Sequence, residues 1–236
     1  MNMKDNCILT AESVTEGHPD KLCDTIADAV VDACLTQDTA ARVACEVMAT
    51  AGKIIAAGEI TAAKIPDIPA IICRTVREAG YGGSDYEVEV ITHEQSPDIA
   101  EAVCGGALSG KDGTKVDRSG AYMARYIAKN IVAAGLAKRC TISLAYAIGK
   151  AQPVAVTVDT EHTGIYSDDV LEQAVRTVFN LTPDGMIGTL GLDQPMFQKF
   201  CNYGHFTHAD APWERTDMTE VLECACRAKD MGVSHR

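Results

Sequence analysis

Two clusters of charged residues have the composition of a phosphate site, because each combines basic side chains with an aspartate. Their members are His18, Asp20 and Lys21 in the first cluster and Lys111, Lys115 and Asp117 in the second. Basic side chains bind phosphate oxygens, and an aspartate oxygen can hold Mg²⁺. Each cluster directly precedes a helical pattern, and the amino terminus of a helix attracts anions. Together the clusters predict a site for a magnesium-bound nucleoside triphosphate.

Each cluster also has a simpler interpretation, in which Asp20 and Asp117 complement helix dipoles and the lysines are solvated. This interpretation suits either cluster taken alone, whereas two matching clusters favour the phosphate site. The net charge of −12 makes such basic islands conspicuous. The same acidity argues against a nucleic-acid surface, since phosphate backbones require basic stripes.

Residues 105–111 match the first part of a Walker A loop, G-x-x-x-x-G-K. The next residue is Asp112 and not the serine or threonine whose hydroxyl holds Mg²⁺. Residues 99–104 also make a poor buried strand. A P-loop NTPase fold is therefore not expected, although the glycines allow the backbone to approach a phosphate closely.

The two clusters open two copies of one pattern, each of which reads as loop, helix, strand, strand and helix. The sequence therefore predicts an α+β fold with two repeats, residues 1–103 and 104–236. In the first repeat the patterns predict a helix from residue 19, strands at 42–50 and 54–62, a helix at 67–79 and an edge strand at 87–92. In the second they predict a helix at 116–134, strands at 139–148 and 153–159, and a helix at 168–180. Short helical pieces and a last helix at 217–229 follow.

The remaining composition predicts a cytoplasmic protein. No apolar stretch reaches the roughly 18 residues that a membrane helix requires, and the first residues lack the apolar core of a signal peptide. The cysteines in apolar runs are expected to be reduced core residues: Cys23, Cys34, Cys45, Cys73 and Cys140. Cys224 and Cys226 are too close in sequence for a zinc pair. The histidines outside the first cluster and residue 93 are interpreted as structural: His162, His205, His208 and His235.

Over nearly its whole length the sequence resembles the methionine adenosyltransferase (S-adenosylmethionine synthetase) family. The matching segments are residues 12–21, 58–61, 95–99, 105–112, 115–119, 145–149 and 203–206. Members of that family have three similar domains around a pseudo-threefold axis. This chain has sequence for two of them, and the family's central domain has no counterpart here.

The resemblance implies that methionine sulfur attacks C5′ of ATP and expels tripolyphosphate, which is then hydrolysed to pyrophosphate and phosphate. It assigns phosphate contacts to His18, Lys111 and Lys115. The other implied roles are Mg²⁺ binding by Asp20 and Asp117, K⁺ binding by Glu46, binding of the methionine head by Glu59 and Gln95, and a wall of the adenosyl pocket at Ile148. Without the resemblance, both glutamates would be interpreted as lying on a solvent-facing side of a strand.

The resemblance also implies a homodimer or higher homo-oligomer with active sites at the subunit interface. Two other functions remain open from the sequence. The chain could be a catalytically weak partner of a full-length family member, or a tripolyphosphate hydrolase without an adenosyl pocket. Retention of Glu59 and Gln95 favours the transferase, because a phosphate hydrolase has no use for a methionine site.

Overall fold

The structure is a computed structural model that describes residues 11–82, 86–96 and 106–233. The first repeat contains helix α1 (Pro19–Gln37), strands β1 (Arg42–Thr50) and β2 (Lys53–Thr61), helix α2 (Ile68–Val76) and strand β3 (Glu87–His93). The second contains helix α3 (Val116–Ala133), strands β4 (Thr141–Ala145) and β5 (Ala155–Asp159) and helix α4 (Asp168–Val178). Helices α5 (Pro183–Leu190) and α6 (Thr219–Val233) follow. The α+β class and the order of elements in both repeats are thus confirmed.

Helix α1 presents one apolar face to the first sheet. Pro19 occupies its first position, where a missing N–H costs no hydrogen bond. The stripe that the four-residue spacing predicts is buried along its whole length: Leu22, Ile26, Val30 and Cys34. Because this face packs on β1, the amino terminus of α1 is fixed at one end of the sheet.

The first sheet has the strand order β1-β2-β3, with β1 antiparallel and β3 parallel to β2. Val43, Cys45, Ile54 and Ala56 point to the side covered by α1 and α2 and are buried. Strand β3 lies at an edge of the sheet, as its alternating sequence predicts.

The second repeat pairs β4 with β5 and packs α3 and α4 against them. Its core includes Tyr122, which stacks on Trp213 with ring centroids 3.7 Å apart. The Tyr122 hydroxyl lies 2.8 Å from Nδ1 of His205. Burial lowers the pKa of His205 to about 4, so this imidazole is neutral at pH 7 and fits the structural role expected for it.

The structure shortens two predicted strands and confirms the predicted end of one helix. The α-helical part of α2 ends at Val76, and the chain continues as a wider helical turn (Arg77–Tyr81) in which Gly80, with a φ of 91°, leaves helical geometry, so the predicted end at residue 79 is confirmed. Strands β4 and β5 are each shorter than predicted, and they end where the connecting turn leaves the ladder. The prediction that Cys73 is a core residue is wrong, since this thiol is exposed, whereas Cys34 and Cys45 are buried.

None of the helices in the described ranges is both long and apolar enough to cross a membrane.

Candidate active site

The loop that opens the second repeat is hydrogen-bonded directly to strand β1 of the first. We call residues 109–115 the bridging loop. Cys45 donates its N–H to the carbonyl of Gly110 (2.9 Å), and Asp112 donates its N–H to the carbonyl of Val43 (3.2 Å). Lys111, between these two contacts, forms an antiparallel bridge with β1. The predicted phosphate residues of the second cluster are therefore anchored on the sheet of the first repeat.

A buried ion pair fixes the bridging loop from the helix side. Arg118 on α3 binds both carboxylate oxygens of Asp28 on α1, at 2.6 and 2.8 Å, and both side chains have 0% exposure. The Gly110 N–H donates to the same carboxylate (2.9 Å), and Arg118 also donates to the carbonyl of Lys111 (2.7 Å). Burial opposes the charge on Arg118, but the Asp28 carboxylate raises the pKa of the guanidinium, which stays charged. The pair thus joins both repeats to one short stretch of loop.

Gly110 is required where the loop meets β1. Its φ is 82°, and a Cβ at this position would lie 1.9 Å from the carbonyl oxygen of Cys45. Only a residue without a side chain can therefore adopt this conformation so close to the strand.

We expect Gly110→Ala to lower the free energy of unfolding by clearly more than the roughly 1–2 kcal/mol that a left-handed conformation costs an L-residue. Gly135→Ala is the matched control, because Gly135 also has a positive φ (68°) but has nothing within 4 Å of its Cβ position. Urea denaturation of both variants measures the difference. Equal losses would show that close packing on β1 does not constrain Gly110.

Lys115 lies at the junction of the two repeats. Its ammonium group is 3.2 Å from Oε1 of Gln95, 3.5 Å from Oδ2 of Asp112 and 3.4 Å from the hydroxyl of Thr114. The side chain has 0% exposure, which contradicts the interpretation of this lysine as solvated. Lys115 is also the N-cap residue of α3, so its charge lies beside the positive end of a helix dipole. This concentration of positive potential suits an anion.

The neighbouring acidic groups hold both lysines in place. The Asp112 carboxylate accepts hydrogen bonds from the N–H of Val43 (2.7 Å) and from the N–H and hydroxyl of Thr114 (2.9 and 2.6 Å). Lys111, whose side chain is 4% exposed, contacts the Asp117 carboxylate at 3.3 Å. Asp117 is more open, with 27% of its side chain exposed. It is the carboxylate of the second cluster that a ligand could reach.

The residues expected to bind methionine lie at the end of β2, next to this loop. One carboxylate oxygen of Glu59 accepts the N–H of Ser96 (2.8 Å), and the N–H of Gln95 donates to the hydroxyl of Thr61 (3.1 Å). Both contacts hold the segment after β3 against the end of β2. The side chain of Gln95 then reaches Lys115, so one predicted methionine residue contacts one predicted phosphate residue.

The first charged cluster lies at the start of α1, where His18 and Asp20 contact each other. Nδ1 of His18 accepts the N–H of Asp20 (3.2 Å) at the start of α1, and the two side chains are 43% and 88% exposed. In the described part of the chain, no hydrogen bond or ion pair connects His18 or Asp20 to the bridging loop. Their groups are available at the surface of the first repeat.

Two other predicted site residues are also open to solvent. Glu46 is exposed on β1, on the side of the sheet away from α1. Ile148 is 63% exposed in the turn after β4, where it lines a cleft beside Thr114. The structure therefore brings together Gln95, Lys115 and their neighbours, and it places Ile148 at a cleft that Thr114 also lines.

Metal binding within one chain would use few carboxylates. The described residues contain no group of three or more His, Cys, Asp or Glu side chains that could hold an ion. Mg²⁺ often takes only one or two carboxylates and completes its shell with water and substrate phosphates. Asp20 and Asp117, each partly or largely exposed, fit that kind of site better than a cage formed by protein alone.

The sequence reasoning missed three residues that build the site: Asp28, Asp112 and Arg118. A signal for Asp28 was present, because it stands between Ala27 and Ala29 on the buried face of α1, where an unpaired charge would be costly. For Asp112, the sequence indicates only that it stands where a Walker A loop has a serine or threonine. For Arg118, neither spacing nor composition indicated a partner.

Comparisons with known proteins agree with this arrangement. The model of the S-adenosylmethionine synthetase N-terminal domain matches residues 6–102, and that of the C-terminal domain matches residues 95–215. These ranges overlap, so no stretch between them is left for a further domain. The S-adenosylmethionine synthase of Treponema denticola is 30% identical over 381 residues, covering 92% of this chain and 98% of that protein. Because the chain has 236 residues, the alignment must contain a long gap in it.

Among solved structures, an unusual S-adenosylmethionine synthetase from Campylobacter jejuni has the same fold. The TM-score is 0.84 at 24% identity, over 91% of this chain and 98% of that one. The two matched domain models, the curated relative and the anchored bridging loop lead to one conclusion. This chain belongs to the S-adenosylmethionine synthetase family and carries its N- and C-terminal domains without a central one.

Proposed function

We propose that this chain is a compact methionine adenosyltransferase, which forms S-adenosylmethionine from ATP and L-methionine and releases phosphate and pyrophosphate. The observation that carries the proposal is the 3.2 Å contact between Lys115 and Gln95. It puts a residue suited to a phosphate beside one suited to an amino-acid head, as a reaction between ATP and methionine requires. Membership of the family is the second support.

The chemistry needs little from the protein except charge and position. A lone pair on the methionine sulfur forms the S–C5′ bond while the C5′–O bond breaks, and its electrons leave with the tripolyphosphate. A thioether is nucleophilic without losing a proton, so no general base is needed for this step. Charge on the leaving group must be stabilised, and preorganised cations such as Lys111 and Lys115 do this without reorganisation. His18 would contribute from the first cluster.

The proposal includes Mg²⁺ and K⁺. Asp20 and Asp117 would hold Mg²⁺, and Glu46 would hold K⁺. When bound, Mg²⁺ offsets negative charge on the phosphate oxygens and thereby helps the tripolyphosphate to leave. Ile148 would contact the adenosyl group, while Glu59 and Gln95 would bind the methionine head.

The site would be completed in a homodimer or higher homo-oligomer. Two features support this part of the proposal. His18 and Asp20 are exposed, and within the described ranges neither is bonded to the bridging loop of its own chain, so a second copy could bring the two clusters together. The outer side of the first sheet also exposes Met48 (59%) and Ile91 (45%), which an interface would bury.

The decisive test incubates the purified chain with ATP, methionine, Mg²⁺ and K⁺ and detects S-adenosylmethionine by mass spectrometry. We expect product that requires Mg²⁺ and increases with K⁺. Parallel incubations with tripolyphosphate alone serve as the control for hydrolysis. Phosphate release without S-adenosylmethionine would identify a hydrolase, and the absence of both reactions at high protein concentration would favour a non-catalytic partner subunit.

A further inference from the structure

A cleft of about 390 Å³ lies beside the bridging loop and receives residues from both repeats. Its lining includes Arg42 at the start of β1, Thr114 and Val116 at the start of α3, Ile148 and Lys150 in the turn after β4, and Pro183 and Asp184 at the start of α5. Thr114 contacts Lys115 and Asp112, so the cleft is adjacent to the proposed site.

Two basic side chains line this cleft without an acidic partner. In the described ranges, neither Arg42 nor Lys150 has a carboxylate within ion-pair distance or a side-chain hydrogen bond. The chain has 33 acidic and 21 basic residues, so two unpaired cations that line one cleft are unexpected in it. Among the described residues that line the cleft, Asp184 is the acidic one; it lies in the first turn of α5 and complements the dipole of that helix.

Two helix amino termini add to this positive potential. Helix α3 begins at Val116, and no side chain caps its start. Helix α5 begins at Pro183. The dipole of each helix favours an anion at this end, although at the start of α5 the Thr182 hydroxyl already accepts the N–H of Gly185. The helix dipoles add to the positive potential of the cleft, whose main source is the two unpaired cations.

The lysines of the bridging loop can neutralise only part of the negative charge of a polyphosphate, and the cations of the cleft can neutralise more of it. Lys111 contacts the carboxylate of Asp117, and Lys115 contacts that of Asp112, so each charge is partly offset. A polyphosphate chain carries several negative charges, and cations without acidic partners interact with it more strongly.

We propose that Arg42 and Lys150 give this cleft a polyphosphate-binding subsite, in which they contact the phosphate oxygens while Ile148 in the same cleft contacts the adenosyl group. The inference rests on the proposed function for its biological meaning, because the triphosphate of ATP and the tripolyphosphate that it yields share this chemistry. It assigns a binding role to two residues outside both charged clusters.

Isothermal titration of the chain with inorganic tripolyphosphate in the presence of Mg²⁺ tests the proposal. We expect Lys150→Gln and Arg42→Gln each to raise Kd by about tenfold at low ionic strength, where charge contacts are strongest. Arg42→Lys should recover much of the loss. The matched control is Lys138→Gln, which removes an exposed lysine outside the cleft and should change Kd by less than about twofold.

Titration with ATP and with adenosine distinguishes the two sources of the ligand. Weaker binding of ATP by both variants, with adenosine binding unchanged, supports a phosphate subsite for the substrate as well as for the product. If the chain does not bind tripolyphosphate, or if the folded Lys150→Gln and Arg42→Gln variants bind it as tightly as the unaltered chain, the proposal is wrong. Circular dichroism establishes that each variant is folded.

The outcome is separable from that of the proposed function. If S-adenosylmethionine forms and neither substitution changes tripolyphosphate binding, the proposed transferase activity is supported and the proposed subsite is wrong. If tripolyphosphate binding depends on Arg42 and Lys150 but no S-adenosylmethionine forms, the subsite is supported and the proposed transferase activity is wrong.

Discussion

Asp28→Ala is expected to lower the free energy of unfolding by about 3–5 kcal/mol, the usual cost of breaking a buried ion pair. The substitution leaves the guanidinium of Arg118 charged and enclosed, with the Lys111 carbonyl as its remaining acceptor. It also removes the acceptor of the Gly110 N–H. Chemical denaturation monitored by circular dichroism measures the loss.

Asp24→Ala is the control for this experiment. Asp24 lies one turn earlier on α1 and pairs with Lys21 at 2.9 Å, but 45% of its side chain is exposed. The Lys21 side chain is 15% exposed, but solvent screens the Asp24 carboxylate, so this variant should lose much less stability than Asp28→Ala. Similar losses for the two variants would mean that burial of the Asp28–Arg118 pair is unimportant for stability.

The second large effect is expected in the rate of the reaction. Lys115→Met should reduce S-adenosylmethionine formation by a factor on the order of 10²–10³, the typical effect of removing one electrostatic contact to a transition state. Methionine keeps the length of the side chain and removes its charge. If the charge acts on the departing tripolyphosphate, kcat falls with kcat/KM and KM changes little.

Stability should also fall on this substitution, because Lys115 is buried beside Asp112. The loss is expected to be smaller than for Asp28→Ala, since Asp112 retains three donors from Val43 and Thr114. Lys138→Met, in an exposed lysine, is the control for both measurements. A rate within about tenfold of the unaltered chain, in a folded Lys115→Met variant, would assign Lys115 a structural role only.

Much of the fold could be predicted because its elements follow local rules. The four-residue spacing in α1 and the alternation in β3 each report burial on one side, which depends on nearby residues alone. The ends of β4 and β5 could not be predicted, because a strand ends where its partner leaves the ladder. Residues 146–148 have strand-like composition but leave the pairing before the turn at Gly149.

The candidate site was predictable in part for the same reason. The clusters around His18 and Lys111 were recognisable as charged segments that precede helices. What the sequence could not report is a partner distant along the chain. The contact between Asp28 and Arg118 joins two helices in different repeats, and burial of Lys115 depends on a loop meeting the end of another repeat's strands. Such contacts come from tertiary packing, which periodicity does not record.

The attachment of the bridging loop to β1 has a consequence for how the chain unfolds. Strand β1 is hydrogen-bonded to β2 along one edge and to the bridging loop along the other. Unfolding of either repeat therefore leaves backbone groups of the other without partners. The buried carboxylate of Asp28 would likewise lose its counter-ion. We therefore expect neither repeat to be stable by itself and the chain to melt in one cooperative transition, which calorimetry would show as a single peak.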